Sequence, residues 1–177
     1  GVNYVLVISS SAGLWAYNTG DTVAFVSLCP HKIIVTGRYK HFISAFGEHV
    51  IGSEVEGALK EALKSSSLNV NEFTVAPKIS PEEGLSCHEW WIEFGVLPDE
   101  KEVNVFAKKL DQKLRTRNTY YKDLIDGKVL KELEIVVVKK NAFTNYMKQI
   151  GKLGGQNKLP RLSNDRKIVE GIERHRN

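Results

Sequence analysis

The chain has 177 residues, 42% apolar and 26% charged, proportions that fit a folded globular protein and exclude a disordered or fibrous one. That length accommodates one ordinary domain plus a small additional element. The net charge of +4 is uneven, because residues 139–177 carry ten Lys/Arg against three Asp/Glu and the remainder is negative.

Asn3 to Ser9 and Asp21 to Leu28 are rich in β-branched and aromatic residues and read as strands. Between them the pattern predicts a short strand, Leu14 to Tyr17, and a turn at Asn18-Thr19-Gly20-Asp21. These pieces form a small antiparallel meander. After Cys29-Pro30-His31 and Ile33-Ile34-Val35, Gly37 permits an unusual backbone angle and marks a domain boundary, giving a meander over 1–36 and a second domain over 37–177.

From Ser53 the period changes to that of a helix. Ser53 and Glu56 have capping-box spacing, and Val55, Ala58, Leu59, Ala62 and Leu63 share one face until Ser65-Ser66-Ser67. Strands are expected at Glu72 to Ala76 and at His88 to Val96, where Trp90, Ile92, Phe94 and Val96 alternate onto one face. Asp99 caps a second helix through Val103, Phe106, Ala107, Leu110 and Leu114, and a short helix follows around Tyr120 to Ile125.

Leu133 to Val138 is apolar on both faces and reads as a central, covered strand. Phe143, Tyr146, Met147 and Ile150 line a further helix stopped by Gly154-Gly155, and a last helix is expected from Ser163. The element order gives an α+β fold, a small mixed β-sheet flanked by helices and preceded by the antiparallel β-meander.

Few residues declare chemistry. No Gly-rich phosphate loop, HExxH or GxSxG motif is present. His31, His41, His49, His88 and His175 are scattered, and Cys29-Pro30-His31 and Cys87-His88 lack the four-ligand spacing of structural zinc, so no metal site is expected. Without a CxxC pair, free thiols and a cytoplasmic setting are expected. No apolar run approaches the roughly 18–20 residues that span a bilayer. The basic C-terminal stretch offers an alternative reading, a stand-alone module for nucleic acid or another anionic partner. Asp21 could offer a sugar diol two acceptors, and Lys158 could bring a positive charge to a transition state; taken alone, they read first as turn chemistry and an exposed lysine.

Three segments give those residues more weight. Ser11-Ala12-Gly13-Leu14-Trp15-Ala16-Tyr17-Asn18-Thr19-Gly20-Asp21, then Thr36-Gly37-Arg38-Tyr39-Lys40-His41-Phe42-Ile43-Ser44-Ala45-Phe46-Gly47-Glu48-His49-Val50, then Gly155-Gln156-Asn157-Lys158-Leu159-Pro160-Arg161 occur in that order. Together they resemble the auxin-responsive Gretchen Hagen family of acyl-acid amido synthetases, with a closer likeness to bacterial members, across nearly the whole chain. The resemblance implies the C-terminal region of an adenylate-forming ligase that converts a carboxylic acid and Mg-ATP to an acyl-adenylate and then transfers the acyl group to an amine or amino acid.

By that resemblance Asp21 holds the ribose hydroxyls, Tyr17 lies beside the adenosine, Arg38 contacts ribose or phosphate, and Gly37 with Arg38 forms a hinge. Lys158 is the catalytic residue, bridging the α-phosphate and the substrate carboxylate. Residues 1–36 would be a remnant of a larger N-terminal domain that holds most of the ATP and Mg. The start in a strand-like run without Met fits such a piece, and the chain alone is expected to be inactive. Ala16 and Asn18 stand where the family usually has arginines.

Overall fold

The computed structural model describes residues 2–38, 42–79, 84–154 and 157–173, apart from the side chains of Arg38 and Phe42. β1 (Asn3–Ile8), β2 (Tyr17–Leu28) and β3 (His31–Arg38) form an antiparallel sheet in that order. The expected strand at 14–17 is absent as such: residues 10–16 make a loop in which the Ser10 N–H bonds the Leu14 carbonyl at 2.9 Å and the Ala16 N–H bonds Ser9 Oγ at 2.9 Å. The expected turn at 18–21 lies inside β2 instead. Its local chemistry is present, since the Gly20 N–H donates to Asn18 Oδ1 at 2.8 Å. Pairing with β1 turns it into a bulge, where the register jumps from Val7↔Asn18 to Val5↔Thr22 and Gly20 takes φ 78°.

β4 (Phe42–Ile43) and β5 (Val50–Ile51) form a small hairpin leading into α1 (Gly52–Lys64). The α1 cap differs from the predicted Ser53/Glu56 pair: Glu54 Oε2 accepts the Ile51 N–H at 3.0 Å, two residues earlier. Its apolar face is as expected, with Val55, Ala58, Leu59 and Ala62 buried.

A second sheet runs β6 (Val70–Lys78), β7 (Cys87–Phe94), β8 (Glu134–Val138), with β6 antiparallel and β8 parallel to β7. This corrects the reading of Leu133 to Val138 as the central strand. The centre is β7, every residue of which is buried, while Val96 lies beyond the strand and is exposed. Three polar residues of β7 obscured that position, and each meets a long-range partner. His88 bonds Glu48, Glu89 binds Arg166 and Lys78, and Glu93 meets Asn71.

Phe73, Val75, Trp90, Ile92 and Phe94 face one core with α1, α2 (Glu100–Arg117) and α3 (Thr119–Asp126). Asp99 caps α2 as predicted, its Oδ1 accepting the Glu102 N–H at 2.8 Å while Glu102 accepts the Asp99 N–H at 3.0 Å. Ala76, Trp91 and Val138 face a second core with α4 (Ala142–Gln149) and α5 (Lys167–Glu173). α5 begins later than the predicted Ser163, because Arg161–Ser163 is used as sheet. The Val75 N–H donates to the Arg161 carbonyl at 2.9 Å and the Ser163 N–H to the Val75 carbonyl at 3.0 Å, which buries Leu162 completely. No described helix is long and apolar enough to cross a membrane.

Candidate functional site

Where β2 and β3 leave the meander, the chain meets α1, the outer edge of β6 and the loop after α4 around a cleft of about 990 Å³. The meander contributes Asp21, Val35, Thr36 and Gly37, α1 contributes Glu56, β6 contributes Asn71 and Glu72, β7 contributes Glu93, and the loop contributes Lys152, Asn157, Lys158 and Arg161. Two of the three sequence motifs thus deliver their key side chains, Asp21 and Lys158, to one cavity, with Gly37 at its rim.

Asp21 owes its place to the bulge. Opposite it, Leu6 alone spans Thr19 to Asp21, and Thr19 Oγ1 donates to the Leu6 carbonyl at 3.2 Å, so the strand is locally tightened and the carboxylate turned toward the cleft. The backbone of Arg38 pairs directly with Asp21; the Arg38 side chain, like residues 39–41, lies outside the described residues. Gly37 pairs with Thr22 at φ 159°. Tyr17, at the start of β2, is exposed and does not line the cleft, so the geometry does not bring it to Lys158.

Lys158 is exposed, and no described residue hydrogen-bonds or ion-pairs with its ammonium. Its neighbours are anchored. Leu159 is buried, the Pro160 carbonyl accepts the Thr74 hydroxyl at 2.8 Å, and Arg161 reaches Glu56 at 3.3 Å and also Glu72. Arg161 and Lys152 had no role in the sequence reading. A basic residue three positions after the lysine was visible as a signal, but its acidic partners lie on α1 and β6 and were not.

Deeper in the second core, burial pushes Glu89 up, but the Arg166 guanidinium, the Trp91 N–H and Lys78 outweigh it and hold the carboxyl below its ordinary value. This network ties Arg166, the residue before α5, to β7. Burial pushes the Cys87 thiol up to about 11, so it is protonated near neutrality and unsuited to nucleophilic work. Among the described residues no group of three or more His, Cys, Asp and Glu could hold a metal ion.

No curated protein sequence matches the chain. Among solved structures, a GH3.15 acyl acid amido synthetase superposes with a TM-score of 0.75 at 22% identity, over 97% of this chain and 32% of that one. The same type of enzyme in complex with 2,4-DB gives 0.72 at 20% identity, with the same coverage of both chains. A 2-hydroxyisobutyryl-CoA ligase in the postadenylation state gives 0.50 at 14% identity, over 90% of this chain and 30% of the ligase. At these identities the likeness is one of fold, and the chain spans about a third of the length of each relative. The sequence pattern of the GH3 family central domain matches residues 1–38, and that of the GH3 family C-terminal domain matches residues 53–167, well over half of the chain, which therefore belongs to the GH3 family.

Proposed function

We propose that this chain is the C-terminal, lid-bearing part of an ATP-dependent acyl-acid amido synthetase. In the first step a carboxylic acid attacks ATP, giving an acyl-adenylate and pyrophosphate; in the second an amine, such as an amino acid, displaces AMP and forms an amide. The observation that carries the reading is that Asp21 and Lys158, from opposite ends of the chain, open onto one cleft.

Asp21 would accept hydrogen bonds from two ribose hydroxyls, for which one carboxylate has enough lone pairs. Lys158 would place a compact, three-donor cation between the α-phosphate and the attacking carboxylate, where negative charge accumulates. A preorganised donor of this kind is worth about 3–4 kcal/mol. Arg38, whose backbone pairs with Asp21, is assigned to ribose or phosphate, and the exposed Tyr17 to adenosine brought from outside the cleft. Gly37 and Arg38 would form the hinge about which the lid turns between the two steps.

Among the described residues no group of three or more His, Cys, Asp and Glu could cage Mg²⁺; the ion would neutralise phosphate charge while held by the rest of the enzyme. The exposed apolar side chains of the meander, including Phe25, Leu28 and Ile34, offer a face against which such a domain could pack.

The test is acid-dependent ATP–pyrophosphate exchange by the full-length protein that carries this chain. Lys158→Ala is expected to lower kcat at least about 100-fold, and Asp21→Asn to raise the KM for ATP. Exchange unchanged by Lys158→Ala would refute the role of the lysine. Robust exchange by the 177-residue chain alone would refute the division of the site between two parts of the protein.

A further inference from the structure

The loop that carries Lys158 is held like a stalk. C-terminal to the lysine, Leu159 and Leu162 are buried, Pro160 accepts a bond from Thr74, and Arg161 and Ser163 pair with Val75. The side chain of Arg161 then crosses to the acidic wall of the cleft. Nε donates to Glu56 of α1 at 3.3 Å, Nη1 donates to Glu72 of β6 and to the Phe73 carbonyl at 3.4 Å, and the guanidinium lies 4.9 Å from the centre of the Phe73 ring. Glu72 stands directly opposite Glu93 in the β6–β7 register, a like-charge pair that is unfavourable without a cation beside it.

Four carboxylates, Asp21, Glu56, Glu72 and Glu93, therefore share the cleft with Lys158, and Arg161 occupies two of them, Glu56 and Glu72. We propose that Arg161 is a positioning residue for adenylation. It fixes the angle from which Lys158 enters the cleft, and by neutralising Glu56 and Glu72 it keeps those carboxylates from capturing the lysine ammonium that the phosphate needs. A lysine at position 161 keeps the charge but cannot span both partners with a planar fork. The proposal rests on the reading of Lys158 given above.

The experiment measures acid-dependent ATP–pyrophosphate exchange and thermal unfolding in the full-length protein. Arg161→Gln is expected to lower kcat about 10- to 100-fold, the loss that a displacement of about 1 Å can produce, with the KM for the acid unchanged. Adding Glu72→Gln to that variant is expected to restore part of the rate, because the competing charge is gone; a residue acting through stability alone would show no such rescue. Wild-type kcat in Arg161→Gln, or a loss that Glu72→Gln does not relieve, overturns the proposal. Where Arg161→Gln does not fold, Arg161→Lys takes its place, with kcat several-fold below wild type expected and an unchanged kcat overturning the proposal. Lys158→Ala measured alongside separates the two ideas. Unchanged exchange there refutes the reading of Lys158 itself, whereas exchange lost in Lys158→Ala and intact in Arg161→Gln refutes the positioning role only.

Discussion

Replacing Glu48 by glutamine is expected to destabilise the protein by about 3 kcal/mol near neutral pH. Glu48 lies between β4 and β5 and is fully buried, as is its partner His88 on β7. One carboxylate oxygen is 2.9 Å from His88 Nε2 and the other accepts the Phe46 N–H at 2.9 Å. The rings of Phe46 and Tyr121 lie 6.5 and 5.0 Å from the imidazole. The pair thus fastens the β4–β5 hairpin onto the central strand. A hydrogen bond to a charged group contributes about 1.5–3 kcal/mol, and breaking a buried pair from one side costs about 3–5 kcal/mol. Glutamine keeps one acceptor oxygen, which sets the estimate at the lower end and predicts a fall in Tm of about 6–12 °C.

The pH dependence has a definite sign. Burial pushes the Glu48 carboxyl up, but His88 and the backbone N–H groups outweigh it, so the group sits below its ordinary value of 4.5. Its contribution is then fully present above that ordinary value and is lost as pH falls through the depressed one. Chemical denaturation of wild type and Glu48→Gln across the acid range should show the widest gap near neutrality and a narrowing one on acidification. A gap under about 0.5 kcal/mol at pH 7, or one that stays constant as the pH falls, would refute the argument.

Two further substitutions probe the parts that aim the site. Leu162→Ala, at a fully buried position on the sheet edge, is expected to cost about 2–5 kcal/mol in thermal or denaturant unfolding; a loss below about 1 kcal/mol would mean that the stalk is not anchored there. Gly20→Ala would add a Cβ that meets nothing within 4 Å, so its effect comes from φ 78°, a cost of about 1 kcal/mol. It should be accompanied by a higher KM for ATP as the bulge relaxes and Asp21 turns; an unchanged KM would separate the bulge from nucleotide binding.

Local patterns revealed local structure. The spacing of Val55, Ala58, Leu59 and Ala62 and the Asp99 cap are short-range features, and the structure uses them as read. The misreadings arose where a distant partner decides. His88, Glu89 and Glu93 made β7 look half-exposed, although Glu48, Arg166 and Asn71 satisfy them from other elements. Ser163 looked like the start of a helix until Val75 claimed its N–H. At Asn18 to Asp21 the turn chemistry was legible, but pairing with Leu6 made it a bulge within a strand. The site divides in the same way. Asp21 and Lys158 stood out through the resemblance, whereas the ion pairs of Arg161 and the place of Lys152 in the cleft depend on folding, which joins segments far apart in the chain.

The most direct test of the account is a crystal structure of the full-length protein with a non-hydrolysable acyl-adenylate analogue. The account predicts the Asp21 carboxylate within hydrogen-bond distance of the ribose hydroxyls and the Lys158 ammonium within the same reach of the phosphate oxygens, in the adenylation arrangement of the lid. Ribose held by other groups, with Asp21 turned to solvent and Lys158 far from the phosphate, would contradict it.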